Sequence, residues 1–147
     1  MRLRPQRCLN DGDAFTLVEI LVVMLIIGIL AAVAIPAFVQ QQSKATDASA
    51  KAQARTAETA AETYAIDHNG EYKGVEANVL QAIEPSLNEK TVAKLVKAEA
   101  PAGGGYIVAS ESVPTKNVFS IERTKAGEFK RTCTTVGAGG CPTSGEW

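Results

Sequence analysis

The sequence predicts an α+β chain: one long N-terminal helix whose first half is able to span a bilayer, packed against a small C-terminal antiparallel sheet of about three strands. Three observations carry this. The 20 residues from Ile20 to Val39 hold no charged or strongly polar side chain. No Gly or Pro interrupts the chain between Ala37 and His68, where alanines recur at helical spacing. Three short β-rich stretches, separated by Pro- or Gly-containing turns, close the sequence. The organisation that follows is a leader at 1–14, a transmembrane helix at 15–39, its amphipathic continuation at 40–68 and a small α+β head at 69–147.

A length of 147 residues is a prior for one domain, and the 46% hydrophobic content is unevenly spread. At 1.5 Å per residue, 20 residues of helix cover about 30 Å, the thickness of a bilayer core. Arg2, Arg4 and Arg7 precede this run and favour a cytoplasmic N-terminus, which sends the chain beyond Gln40 to the far side. Gly28 and Pro36 weaken the segment, by about 1 and about 3 kcal/mol relative to Ala, and a kink is expected near Pro36. Glu19 is the anomaly, since a carboxylate in hydrocarbon costs roughly 2–4 kcal/mol. The N-terminal helix dipole recovers only about 0.3–1 kcal/mol of that.

Past the apolar run, Ala50, Ala54, Ala57, Ala61 and Tyr64 line one helix face, with Lys51, Arg55, Glu58 and Glu62 off it. A stripe of alanines lets the head pack closely on the helix, and Asn69-Gly70 is a good helix stop. Glu76–Ile83 and Glu89–Ala98 show short helical patterns on either side of Pro85, and 101–105 is a loop. Tyr106–Ser110, Val118–Arg123 and Glu128–Thr134 read as an antiparallel meander. A lone core below roughly 80 residues is marginal, so a covalent staple would help it.

Little in the chain speaks for catalysis or for a cofactor. The only histidine, His68, stands at the predicted helix end without a nucleophile in a recognisable pattern. Gly103–Gly105 and Gly137–Gly140 lack the spacing and the following Lys of a phosphate loop. Cys133 and Cys141 without a Cys-x-x-Cys partner or a nearby His make a poor metal site. Cys8 falls in the leader; with it removed two cysteines remain, an even count suited to one disulfide in an oxidising compartment. Removing the leader's three Arg and two Asp from totals of 15 and 16 leaves a formal charge of −2. Lys and Arg are spread rather than clustered, so DNA is a possible partner without support.

Three readings of the apolar segment compete. An ordinary secretory signal peptide would be cut after Ala32-Val33-Ala34, and a simple anchor for a secreted or membrane-bound binding module would not be cut at all. Neither accounts for Glu19. The third rests on the residues "AFTLVEILVVMLIIGILAAVAIPAF", which resemble the N-terminus of type IV pilins and the pseudopilins of type II secretion. The resemblance is close from Asp13 to about Gln42 and holds only in outline elsewhere.

That resemblance implies a class III signal peptide, cut between Ala14 and Phe15 by a prepilin peptidase that also methylates the Phe15 amine. The family's residue before the cut is usually Gly; here it is Ala14, and Gly12 stands two places too early. Glu19, four residues after Phe15, and Pro36 match family positions, as does the small Gly28. The implied partners are the peptidase, membrane lipid before assembly, the inner-membrane pilus assembly machinery and further copies of the chain in a helical homopolymer. Glu19 would then lie against a neighbour's Phe15 amine, and Gly28 and Pro36 would let the helix unwind on leaving the bilayer. Implied too are a C-terminal disulfide loop bounded by Cys133 and Cys141 and a filament used for adhesion, motility or DNA uptake. The precursor would be a single-pass protein of the cytoplasmic membrane, the product an extracellular pilus. Pseudopilins often carry a calcium site near the C-terminus, and no dense Asp/Asn cluster stands there.

Overall fold

The computed structural model describes residues 15–147; the leader, including Ala14 and Cys8, lies outside the described residues. The chain is α+β and pilin-like: a long N-terminal helix, α1 (Leu17–Asp67), and a four-stranded antiparallel sheet. Two compact units divide it, at 1–37 and 38–147. Within the first, α1 is the described element, and it continues through Pro36, whose missing N–H leaves the Ala32 carbonyl without its helical donor.

The second unit holds the rest of α1, a short helix α2 (Ala77–Ile83), a 3₁₀ turn (Pro85–Asn88) and strands β1 (Ala93–Glu99), β2 (Tyr106–Ser112), β3 (Val118–Arg123) and β4 (Phe129–Cys133). The strands pair in chain order as a meander. The end of α1 follows the sequence closely. Asn69 adopts a left-handed φ of 57°, and the Gly70 N–H reaches back to the Ala65 carbonyl at 2.7 Å, a Schellman closure.

The alanine stripe is the floor of the core. Ala50, Ala54, Ala57 and Ala61 are fully buried and bring the α1 backbone close to its neighbours. One cluster joins the middle of this stripe to Val75, Leu80, Leu87, Leu95, Tyr106, Val108 and Ile121. A second joins Ala50 to Ala93, Phe119, Cys133 and Cys141, with Trp147 packed on its edge.

Two expectations are corrected. The sheet has four strands rather than about three, and the additional one, β1, occupies most of the stretch expected to be helical at Glu89–Ala98. Ala93 and Leu95 point inward, but a bulge between Leu95 and Lys97 shifts the register, so the next inward residue is Ala98. Spacings of two and then three residues imitate a helical stripe. Gln53 of α1 also holds the approach to this strand, donating to the carbonyls of Glu89 at 3.1 Å and Ala93 at 3.4 Å.

Candidate functional site

In the N-terminal unit the candidate residues that are described, Phe15, Glu19, Gly28 and Pro36, lie on or beside α1. Phe15 precedes the helix and is 74% exposed. Thr16 is the cap: its Oγ1 accepts the Glu19 backbone N–H at 3.2 Å, and its carbonyl accepts the Ile20 N–H at 3.3 Å. Glu19 is therefore the third residue of the helix and the one acid of the first turn, the Thr-x-x-Glu arrangement of a capping box. Among the described residues no cation lies within ion-pair distance of it. Every large apolar side chain from Leu17 to Val39 is at least 44% exposed, and the most apolar window of α1 has a mean hydropathy of 3.0. A Cβ built on Gly28 would meet no atom within 4 Å. Among the described residues this half of the helix is thus an exposed apolar surface, long enough to cross a bilayer, with one acid in its first turn.

In the second unit two acids of α1 do work that local spacing did not reveal. Glu62 accepts from the hydroxyls of Tyr72 at 2.7 Å and Tyr106 at 2.9 Å, and Arg123 Nε lies 3.1 Å from it. Burial pushes both tyrosine hydroxyls above their ordinary range, and the Glu62 acceptor adds to the shift.

Asp47 is fully buried. It accepts from the Gly140 N–H at 2.8 Å, from Asn117 Nδ2 at 3.2 Å and from the Thr115 hydroxyl. Burial alone would push its carboxyl up; the hydrogen bonds, led by those from Thr115 and Gly140, outweigh that and hold it below the ordinary carboxylate range. The Gly-rich stretch before Cys141 is what admits the carboxylate. At Gly139, whose φ is 58°, a Cβ would fall on Asp47 Oδ2, and at Gly140 it would sit 2.8 Å from Asp47 Cβ. Cys133 and Cys141 are joined in a disulfide, their Cα atoms 5.8 Å apart. Asp47 precedes Ala50 by three residues, so it sits on the alanine stripe itself. An acid on a buried stripe is the signal that would have found it.

His68 stands exposed just after α1, its ring stacked on Tyr64 with centroids 3.8 Å apart and Nδ1 2.8 Å from the Tyr64 carbonyl. An open groove of about 860 Å³ lies between 70–76 and 98–105. Its rim sets Glu71, Glu76 and Glu99 against Lys73, Arg123 and Lys125, which gives it no single-sign field. Among the described residues no group of three or more His, Cys, Asp or Glu is placed to hold a metal.

Residues 13–35 match the prokaryotic N-terminal methylation motif. The match spans the expected cut, the capped first turn with Glu19, Gly28, and the chain up to the residue before Pro36. No curated protein and no solved structure matches the chain.

Proposed function

We propose that this chain, which bears the class III signal peptide of type IV pilin-like proteins and so is a pilin-like or pseudopilin substrate of prepilin peptidase, is a structural subunit of a type IV pilus. The observation that carries the reading is the apolar half of α1, exposed along its length and bearing one acid in a capped first turn.

The precursor inserts with its basic leader in the cytoplasm. Prepilin peptidase cuts between Ala14 and Phe15 and methylates the new amine, which remains cationic. An isolated carboxylate is penalised in an apolar bundle, but one held against an ammonium recovers much of that penalty. In a filament, Glu19 of one copy lies against the Phe15 amine of the next. A copy docked out of step leaves both charges unpaired, so the pair also sets the axial register. Gly28 and Pro36 lower the cost of loosening the helix as it leaves the bilayer for the filament. The unit at 38–147 is then carried to the cell surface with its disulfide-closed loop, and the product's activity is assembly and contact rather than catalysis. The disulfide-closed C-terminal loop favours a pilin over a pseudopilin.

The test is the mass of the mature N-terminus together with electron microscopy of sheared surface material. A chain beginning at methylated Phe15 and thin fibres containing it are expected. Glu19→Ala should insert and be cut but form no fibres. A mature chain beginning at Ile35, an uncut chain beginning at Met1, or normal fibres from Glu19→Ala would overturn the reading.

A further inference from the structure

Cys133 and Cys141 do not depend on each other alone to come together. Asn117, on the turn before β3, donates from Nδ2 to Asp47 at 3.2 Å and to the Ala138 carbonyl at 3.4 Å. Its Oδ1 accepts from the Thr135 N–H at 2.9 Å and the Thr134 hydroxyl at 3.2 Å. Thr134 and Thr135 directly follow Cys133, while Ala138 and Gly140 stand three residues and one residue before Cys141. Asp47 therefore holds the second flank of the loop through Gly140 and, through Asn117, both flanks at once. None of these bonds involves a sulfur, so all of them are available to the reduced chain.

We infer that Asp47 is a positioning residue for the oxidation that joins Cys133 to Cys141, its carboxylate folding the loop on α1 before the sulfurs bond. The oxidant is a disulfide donor. One cysteine thiolate attacks a donor sulfur and expels a donor thiolate, leaving a mixed disulfide. The second cysteine thiolate then attacks the protein sulfur of that bond and expels the other donor thiolate. The two thiol protons pass to solvent or to the departing thiolates, so two thiols are oxidised and one donor disulfide is reduced. The clasp raises the effective concentration of one thiol at the other, which speeds the second step and favours the closed product. Linkage makes the relation reciprocal: closing the disulfide strengthens the grip of Asp47 on Gly140 by the same factor.

The experiment equilibrates the full mature chain, in detergent, with reduced and oxidised glutathione at neutral pH and counts free thiols. Asp47→Asn should lower the equilibrium constant for disulfide formation about tenfold, the share of one charge-assisted hydrogen bond. Thr115→Val, which changes no residue of the loop but removes one donor to Asp47 and the hydroxyl that accepts the Asn117 N–H at 3.3 Å, should lower it less. A contribution to general stability alone would not move this constant. It would instead lower Tm equally in the oxidised chain and in a chain carrying Cys133→Ser and Cys141→Ser, whereas the clasp predicts a smaller Tm loss in the cysteine-free chain. An unchanged constant, or equal Tm losses, overturns the inference. If Asp47→Asn does not fold, Thr115→Val decides by the same two readouts.

Discussion

Tyr106 donates its hydroxyl to Glu62 Oε1 at 2.9 Å, tying the start of β2 to α1 across 44 residues of sequence. Tyr106 is fully buried in the folded chain, so its hydroxyl depends on this acceptor. Glu62→Ala should cost about 1–3 kcal/mol, the penalty of an unpaired buried donor. Glu62→Gln, which keeps a carbonyl acceptor, should cost less. Adding Tyr106→Phe to Glu62→Ala should recover part of the loss, because the orphaned hydroxyl leaves with its partner. Denaturant unfolding of the four chains measures all three differences.

Asp47 predicts an acid-side loss of stability. Its carboxyl is held below the usual range in the folded chain, against about 3.9 when unfolded. Protonation therefore favours the unfolded chain. The contribution is complete above the unfolded value and disappears as pH falls through the lower, folded one. Thermal unfolding should show Tm falling on acidification below about pH 4, with a shallower fall in Asp47→Asn. Glu89, lowered by the Thr91 hydroxyl, accounts for part of the slope that remains.

The elements built on local rules were legible in the sequence. The alanine stripe, the Asn69-Gly70 stop and the bounds of β3 follow from spacing and turn chemistry, and the structure has them where spacing places them. What escaped was set by partners distant in sequence. Strand β1 is rich in Ala, Lys, Leu and Glu, helix formers that pairing with β2 overrides, and its bulge disguises the period. Glu62 lies beside the stripe and looks solvated until Tyr72 and Tyr106 arrive from 10 and 44 residues away. Asp47 falls on the stripe, three residues before Ala50, but what holds it there is out of local reach, since its donors are 68 to 93 residues downstream. In the N-terminal segment Glu19 stood out at once, since a charge in an apolar run contrasts with its own neighbours. Its cap, Thr16, shows in the Thr-x-x-Glu spacing.

That cap is separable from the charge. Thr16→Ala removes the acceptor of the Glu19 N–H and should cost the first turn about 1 kcal/mol, while Thr16→Ser keeps it. If Glu19 must leave the helix axis at a fixed angle to meet a neighbour, fraying this turn weakens assembly with the carboxylate intact. Thr16→Ala should yield fewer fibres in sheared fractions, Thr16→Ser near-normal numbers, and both should be cut at the same rate. Equal fibre yields from the two would assign the cap to helix stability alone.

Gly28 separates a packing role from a flexibility role. No atom stands within 4 Å of a Cβ built there, so Gly28→Ala fits the isolated subunit without strain. It should make this part of α1 about 1 kcal/mol more stable as a helix. If the segment has to loosen on leaving the bilayer, that added stability opposes the step: Gly28→Ala should insert and be cut normally yet assemble more slowly. If Gly28 instead allows two helices to approach closely within the fibre, a larger residue should be far worse than Ala. Gly28→Leu would then abolish fibres while Gly28→Ala is nearly silent. Pulse-labelled fibre yields for the two variants, measured beside their processing rates, distinguish these outcomes, and slowed assembly already at Gly28→Ala is the expected result.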